Sequence, residues 1–85
     1  MEKLIKILSL TNNTILISEI VEVGADVGEP DCKLINPFVV KEDGSVEPFL
    51  CEYTAQDTFM MSSDKILTLA VPTEKLLNKY IDLTA

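Results

Sequence analysis

The chain has 85 residues, nearly half of them apolar, enough for one small domain with one core. Fourteen acids face seven bases, all lysines, and there is no arginine, histidine or tryptophan. This composition excludes imidazole acid–base catalysis, imidazole metal ligation and bidentate guanidinium recognition of phosphate or guanine, and the net charge of −7 opposes long-range attraction to nucleic acid or anionic membranes.

The first two apolar segments are "KLIKILSL" and "TILISEIVEV", joined by Thr11-Asn12-Asn13-Thr14. A two-residue turn at Asn12-Asn13 predicts a hairpin that pairs Leu8 with Ile17, Lys6 with Glu19 and Lys3 with Glu22. A helix over residues 2–10 is the competing reading, and the charge match favours the hairpin. "GADVGEPD" reads as a loop, and "CKLINPFVV" as a third strand that must bend, bulge or lie at an edge where Pro37 cannot donate. After the turn at Asp43-Gly44, residues 49–61 alternate Phe49, Cys51, Tyr53, Ala55, Asp57, Phe59 and Met61 with mostly polar neighbours, which predicts a long strand with one buried face. Asp57 interrupts that face, either paired with a lysine or turned outward by a bulge. A fifth strand carries Leu67, Leu69 and Val71. The predicted strands span about residues 3–11, 14–23, 31–41, 48–61 and 65–71. A helix over about 73–83 follows, with Thr73 as N-cap and an apolar stripe of Leu76, Leu77, Tyr80 and Ile81. So short a helix must dock on the sheet or on a neighbouring subunit.

The expected fold is therefore mainly β: a single domain, residues 1–85, with a strongly bent five-stranded antiparallel sheet forming a partly open barrel and a C-terminal helix. Its edge strands would expose unpaired backbone. Phe59, Met61, Ile66, Leu67 and Leu69, on the two most apolar strands, are the candidate subunit-interface residues. Cys32 and Cys51 lie in no CxxC pair and are expected as buried, reduced thiols. No catalytic residue, metal site or cofactor emerges. With no apolar stretch long enough to cross a bilayer and no signal peptide in the first residues, a cytoplasmic location is expected.

In element order, the chain resembles the Sm-like (LSm) family. "LIKILSLTNNTILISEIVEV" is similar to its opening hairpin, "DCKLINPFVV" to the third strand of its first signature, and "FMMSSDKILTLAVP" to its second signature. The Asn36-Pro37 element and "PTEKLLNKY" also resemble short Sm-like proteins of cyanophages, for which the location would be the host cytoplasm. The resemblance implies an SH3-type barrel and a homo-oligomeric ring, of about five to seven subunits, joined through the fourth and fifth strands. It also implies single-stranded RNA at the inner rim, bound by a stacking residue and an Asn before the third strand and an Arg-Gly pair before the fifth. Here those turns read Asp31-Cys32-Lys33 and Ser62-Ser63-Asp64. The RNA-binding candidates are accordingly Asp31, Lys33, Ser63, Asp64 and Lys65, with the lysines on phosphate and the Ser63 hydroxyl on a base edge. The function implied is an RNA-associated or RNA-chaperone ring with an altered pocket. The alternative is a non-catalytic adaptor ring without RNA, presenting an acidic face of Asp26, Glu29, Asp31, Glu42 and Asp43. Neither membrane nor double-stranded DNA is expected as a partner.

Overall fold

The computed structural model describes residues 4–24 and 26–84. Six strands, β1 (Ile5–Leu10), β2 (Ile15–Glu22), β3 (Cys32–Val40), β4 (Val46–Pro48), β5 (Thr58–Met61) and β6 (Ile66–Ala70), precede one helix, α1 (Glu74–Thr84). The sheet is antiparallel throughout, in the order β4-β3-β2-β1-β6, with β5 also on β3. The two ends of this order do not meet, so the sheet is bent but open.

The β1–β2 hairpin forms, but one residue out of the expected register. Leu8 faces Leu16 and Lys6 faces Ser18, so the Lys6–Glu19 match is lost; the Lys3–Glu22 match lies outside the described residues. The turn explains the slip. Asn13 adopts a left-handed φ of 67°, the Asn13 amide donates to the Leu10 carbonyl, and the Leu10 amide donates to Thr14. The loop is therefore three residues, a type I turn closed by a left-handed residue, rather than two. Asn12 fixes it by accepting the Thr14 amide at 3.1 Å. The β3–β4 turn repeats this chemistry: Gly44 supplies the left-handed position, φ 86°, and the Asp43 carboxylate accepts the Ser45 amide at 2.9 Å.

One face of the sheet carries the core, built on Leu8, Leu10, Leu16, Ile20, Cys32 and Leu34. Alternation puts Ile17 and Phe38 on the other face. That face is covered by α1, whose Tyr80 ring meets Phe38 edge-on at 5.8 Å. Thr73 caps the helix by accepting the Leu76 amide on its hydroxyl. Of the predicted stripe, Leu76 and Leu77 are half-buried, Tyr80 is buried and Ile81 is exposed.

Pro37 does produce a bulge. Ile17 faces Phe38 while Glu19 faces Ile35, so Ser18 alone opposes Asn36 and Pro37. Asn36 supplies the left-handed kink, φ 53°. The groups freed from the ladder are taken up by two hydroxyls. Tyr80 Oη accepts the Glu19 amide at 3.1 Å and points its proton between the Ile35 and Asn36 carbonyls, 3.1 and 3.0 Å away. Buried Ser18 places its Oγ 2.8 Å from the Glu19 carbonyl and 3.2 Å from that of Ile35. Burial pushes the Tyr80 phenol above its ordinary pKa.

The bulge also divides the strands on the outer side of β3. β4 pairs with Phe38–Val40 and β5 with Cys32–Ile35. The long strand expected over 48–61 is therefore two short ones on a common line, separated by an excursion over residues 49–57. The alternation that suggested one strand has another origin: Phe49 and Phe59 fold back on each other, ring centroids 5.5 Å apart, while Cys51, Tyr53 and Ala55 are exposed. Cys32 is buried as expected, whereas Cys51 is an exposed free thiol because the excursion carries it away from the core. Asp57 is turned outward and exposed; only its carbonyl, accepting the Asn36 amide at 2.7 Å, ties it to β3.

Candidate functional site

Two features lie where the sequence places functional residues. The first is the convergence of the β2–β3 and β5–β6 turns. The Asp31 carboxylate accepts the Ser63 amide and the Ser63 hydroxyl, each at 2.7 Å. The Ser63 hydroxyl, then its amide, holds the Asp31 carboxyl below its ordinary pKa. Ser63 opens a short 3-10 turn, Ser63–Lys65, that leads directly into β6. Beside it is a cleft of about 320 Å³ lined by Asp26, Glu29, Asp31 and Asp64 with Ser62 and Ser63.

The structure thus brings Asp31, Ser63 and Asp64 together and leaves both lysines out of the cleft lining. Lys33 sits within β3 between Val21 and Met60, and Lys65 is exposed at the end of the 3-10 turn. Four carboxylates and no cation line the cleft, which disfavours a phosphate there. Among the described residues no group of His, Cys, Asp or Glu is arranged to hold a metal ion. The expected acidic face is not one surface. Asp26, Glu29 and Asp31 line this cleft, whereas Asp43 borders a different recess with Lys75 and Lys79 of α1. Asp43 is itself held below its ordinary pKa by the Ser45 hydroxyl and amide.

The second feature is the edge of the sheet at β6. This strand pairs with β1 on one side, and no strand among the described residues lies on the other. Beyond Ile66 its apolar side chains are nevertheless exposed: Leu67 by 65%, Leu69 by 50%, and Val71 just past the strand by 77%. Leu69 faces Leu8, which is fully buried, so one strand pair runs from the core to open surface. Across the opening, β5 has a second unpaired edge with Met60 exposed. Of the five expected interface residues, Leu67 and Leu69 lie on this surface. Met61 and Ile66 pack against the core, and Phe59 is half-buried against Phe49. Met60 and Val71 were not among the expected residues. Alternation along β5 and β6 assigns a face, not whether the element opposite that face is present.

No helix among the described residues is long and apolar enough to cross a membrane. No curated protein matches the chain. A family model matches residues 3–85, nearly the whole length, and the chain therefore belongs to DUF6561, a family of unknown function.

Proposed function

We propose that the chain is a non-catalytic module that assembles with copies of itself, the β5 edge of one copy pairing with the β6 edge of the next. The exposed row Leu67, Leu69 and Val71 along the free edge of β6 carries this reading. Open strand edges are normally blunted by charge, proline or a covering element, and β6 carries no charged residue. A pairing of two different edges is head-to-tail, and it leaves no edge exposed only if the copies close into a ring. This is the arrangement that the Sm-like resemblance implies. Hydrogen exchange at two protein concentrations tests it. Amides of β5 and β6 should gain protection as concentration rises while those of β2 stay constant; equal exchange in β6 at both concentrations would refute the pairing.

A second reading, RNA association, is favoured by one observation: the turns that carry the RNA pocket in the Sm-like family converge here through Asp31 and Ser63. Its charge opposes it. Fluorescence anisotropy with labelled oligo-U and oligo-A separates the readings. Saturable binding that falls steeply with salt supports RNA, and flat titrations in low salt leave assembly alone.

A further inference from the structure

The free β6 edge is too short to hold two copies together alone. Its five residues span about 17 Å. A fully buried aliphatic side chain removes about 60–120 Å² from water at the usual transfer coefficient. Leu67, Leu69 and Val71, each half or more exposed, therefore supply about 100–250 Å². A stable specific interface buries about 800 Å² on each partner. The shortfall requires contact beyond the strand.

Pairing direction says where that contact falls. Every pair in this sheet is antiparallel. If β5 of one copy adds to β6 of the next in the same sense, its Thr58 end lies beside the Ala70 end of β6. The residues before Thr58 then run alongside the residues after Ala70. On one side these are the 49–57 excursion. On the other is a groove of about 640 Å³ between α1, the β6–α1 connection and the start of β1, walled by Val71, Leu77, Tyr80 and Ile81 with Leu4.

The two surfaces match in chemistry. The excursion presents Tyr53, 82% exposed, and Leu50, which is held in the left-handed region at φ 59°. A leucine there is strained. Its carbonyl accepts the amides of both Tyr53 and Thr54. The groove offers apolar walls for an aromatic ring, and Glu19 and Thr84 among its lining residues for a phenol that needs a polar partner once buried. Resting on the edge-pairing reading, we infer that this groove is the docking site for the Tyr53 excursion of a second copy of this chain. The excursion then acts as a clamp reaching past the paired edges onto the neighbour's helix.

Sedimentation equilibrium of wild type and of Tyr53→Ser, Val71→Ser and Leu69→Lys variants tests this. Both Tyr53 and Val71 are exposed within one copy, so at dilutions where the chain is monomeric their serine variants should keep the wild-type melting midpoint. The inference expects each of them to raise the self-dissociation constant tenfold or more. A constant unchanged in Tyr53→Ser while Leu69→Lys or Val71→Ser disrupts assembly overturns the clamp and leaves edge pairing standing. A wild-type chain that is monomeric at 100 µM overturns both.

Discussion

The Asn36–Pro37 bulge and the β6 edge pose the same physical problem and meet it differently. Each leaves backbone groups outside a strand ladder. At the bulge the chain answers from within: Tyr80 reaches from α1 to serve Glu19, Ile35 and Asn36, and Ser18 adds a second hydroxyl. No buried side-chain polar atom among the described residues lacks a partner. At β6 no strand among the described residues answers, and Leu67 and Leu69 stand exposed beside the open ladder. A sequence that satisfies a buried kink with two placed hydroxyls yet leaves an apolar edge open is the basis for the proposal that further copies complete that edge.

The comparison is broken most directly at the edge itself. Replacing Leu69 by lysine puts a charge where the proposed neighbour would bury it, and self-association should weaken about a hundredfold, read by sedimentation. Because Leu69 is half exposed in one copy, the folding free energy of the dilute chain should change by no more than about 0.5 kcal/mol. If chemical denaturation instead shows a large loss, Leu69 belongs to the core and the contrast between the two regions fails.

Tyr80→Phe tests the other side. It keeps the ring against Phe38 and removes the hydroxyl, leaving the Glu19 amide and the Asn36 carbonyl without that partner and the Ile35 carbonyl with Ser18 alone. Unfolding should lose about 1–3 kcal/mol with self-association unchanged beyond that loss. It should also alter the alkaline limb of stability. The phenol's pKa is raised in the folded chain, so its contribution is complete below the unfolded value near ~10 and is lost as pH rises through the folded one. The variant should lack that limb; an unchanged alkaline profile would mean that the hydroxyl does not hold the bulge.

Smaller effects refine the picture. Asn36→Ala at φ 53° should cost about 1 kcal/mol, and Asn36→Gly should lie near neutral. Equal losses in both would assign the role to the Asn side chain instead of the backbone angle. The smallest effect belongs to Asp31. Its pKa is lowered by the Ser63 hydroxyl and amide, so its contribution is present above the unfolded value near ~3.9 and is lost only as pH falls through the lower folded one. Carbon-detected NMR should show the Asp31 carboxyl titrating below ordinary aspartate, with Ser63→Ala moving it back up. An unmoved midpoint would remove the bond that joins the two turns.

Much of this architecture was legible in the residues. The helix start at Thr73, a break in the ladder at Pro37 and the apolar run of β6 each follow from local chemistry that tertiary context did not override. The choice of a bulge over a bend or an edge at Pro37 does not. The first hairpin was legible in kind but not in register. "NNT" and "DGS" encode the same three-residue turn, an Asx side chain followed by a left-handed residue, and reading Asn12-Asn13 as the whole loop shifts every pair by one. The 49–57 excursion was hidden for a different reason. Phe49 and Phe59 supply strand-like alternation by packing edge-to-face across the excursion, so period alone could not tell one strand from two. Tyr80 looked like another member of an apolar stripe; only the bulge beneath it gives its hydroxyl a purpose. At the turns, the Sm-like resemblance grouped Asp31 with Ser63, but it could not show that Lys33 lies within the sheet and outside the cleft.

The central claim is that the open edges are completed by further copies of the chain. Light scattering coupled to size exclusion, at tens of micromolar protein and across a salt series, measures this most directly. The account predicts a single species whose mass is a whole multiple of 9.4 kDa and persists at high salt, because the seam is apolar. A mass of one chain at every concentration and salt would contradict it.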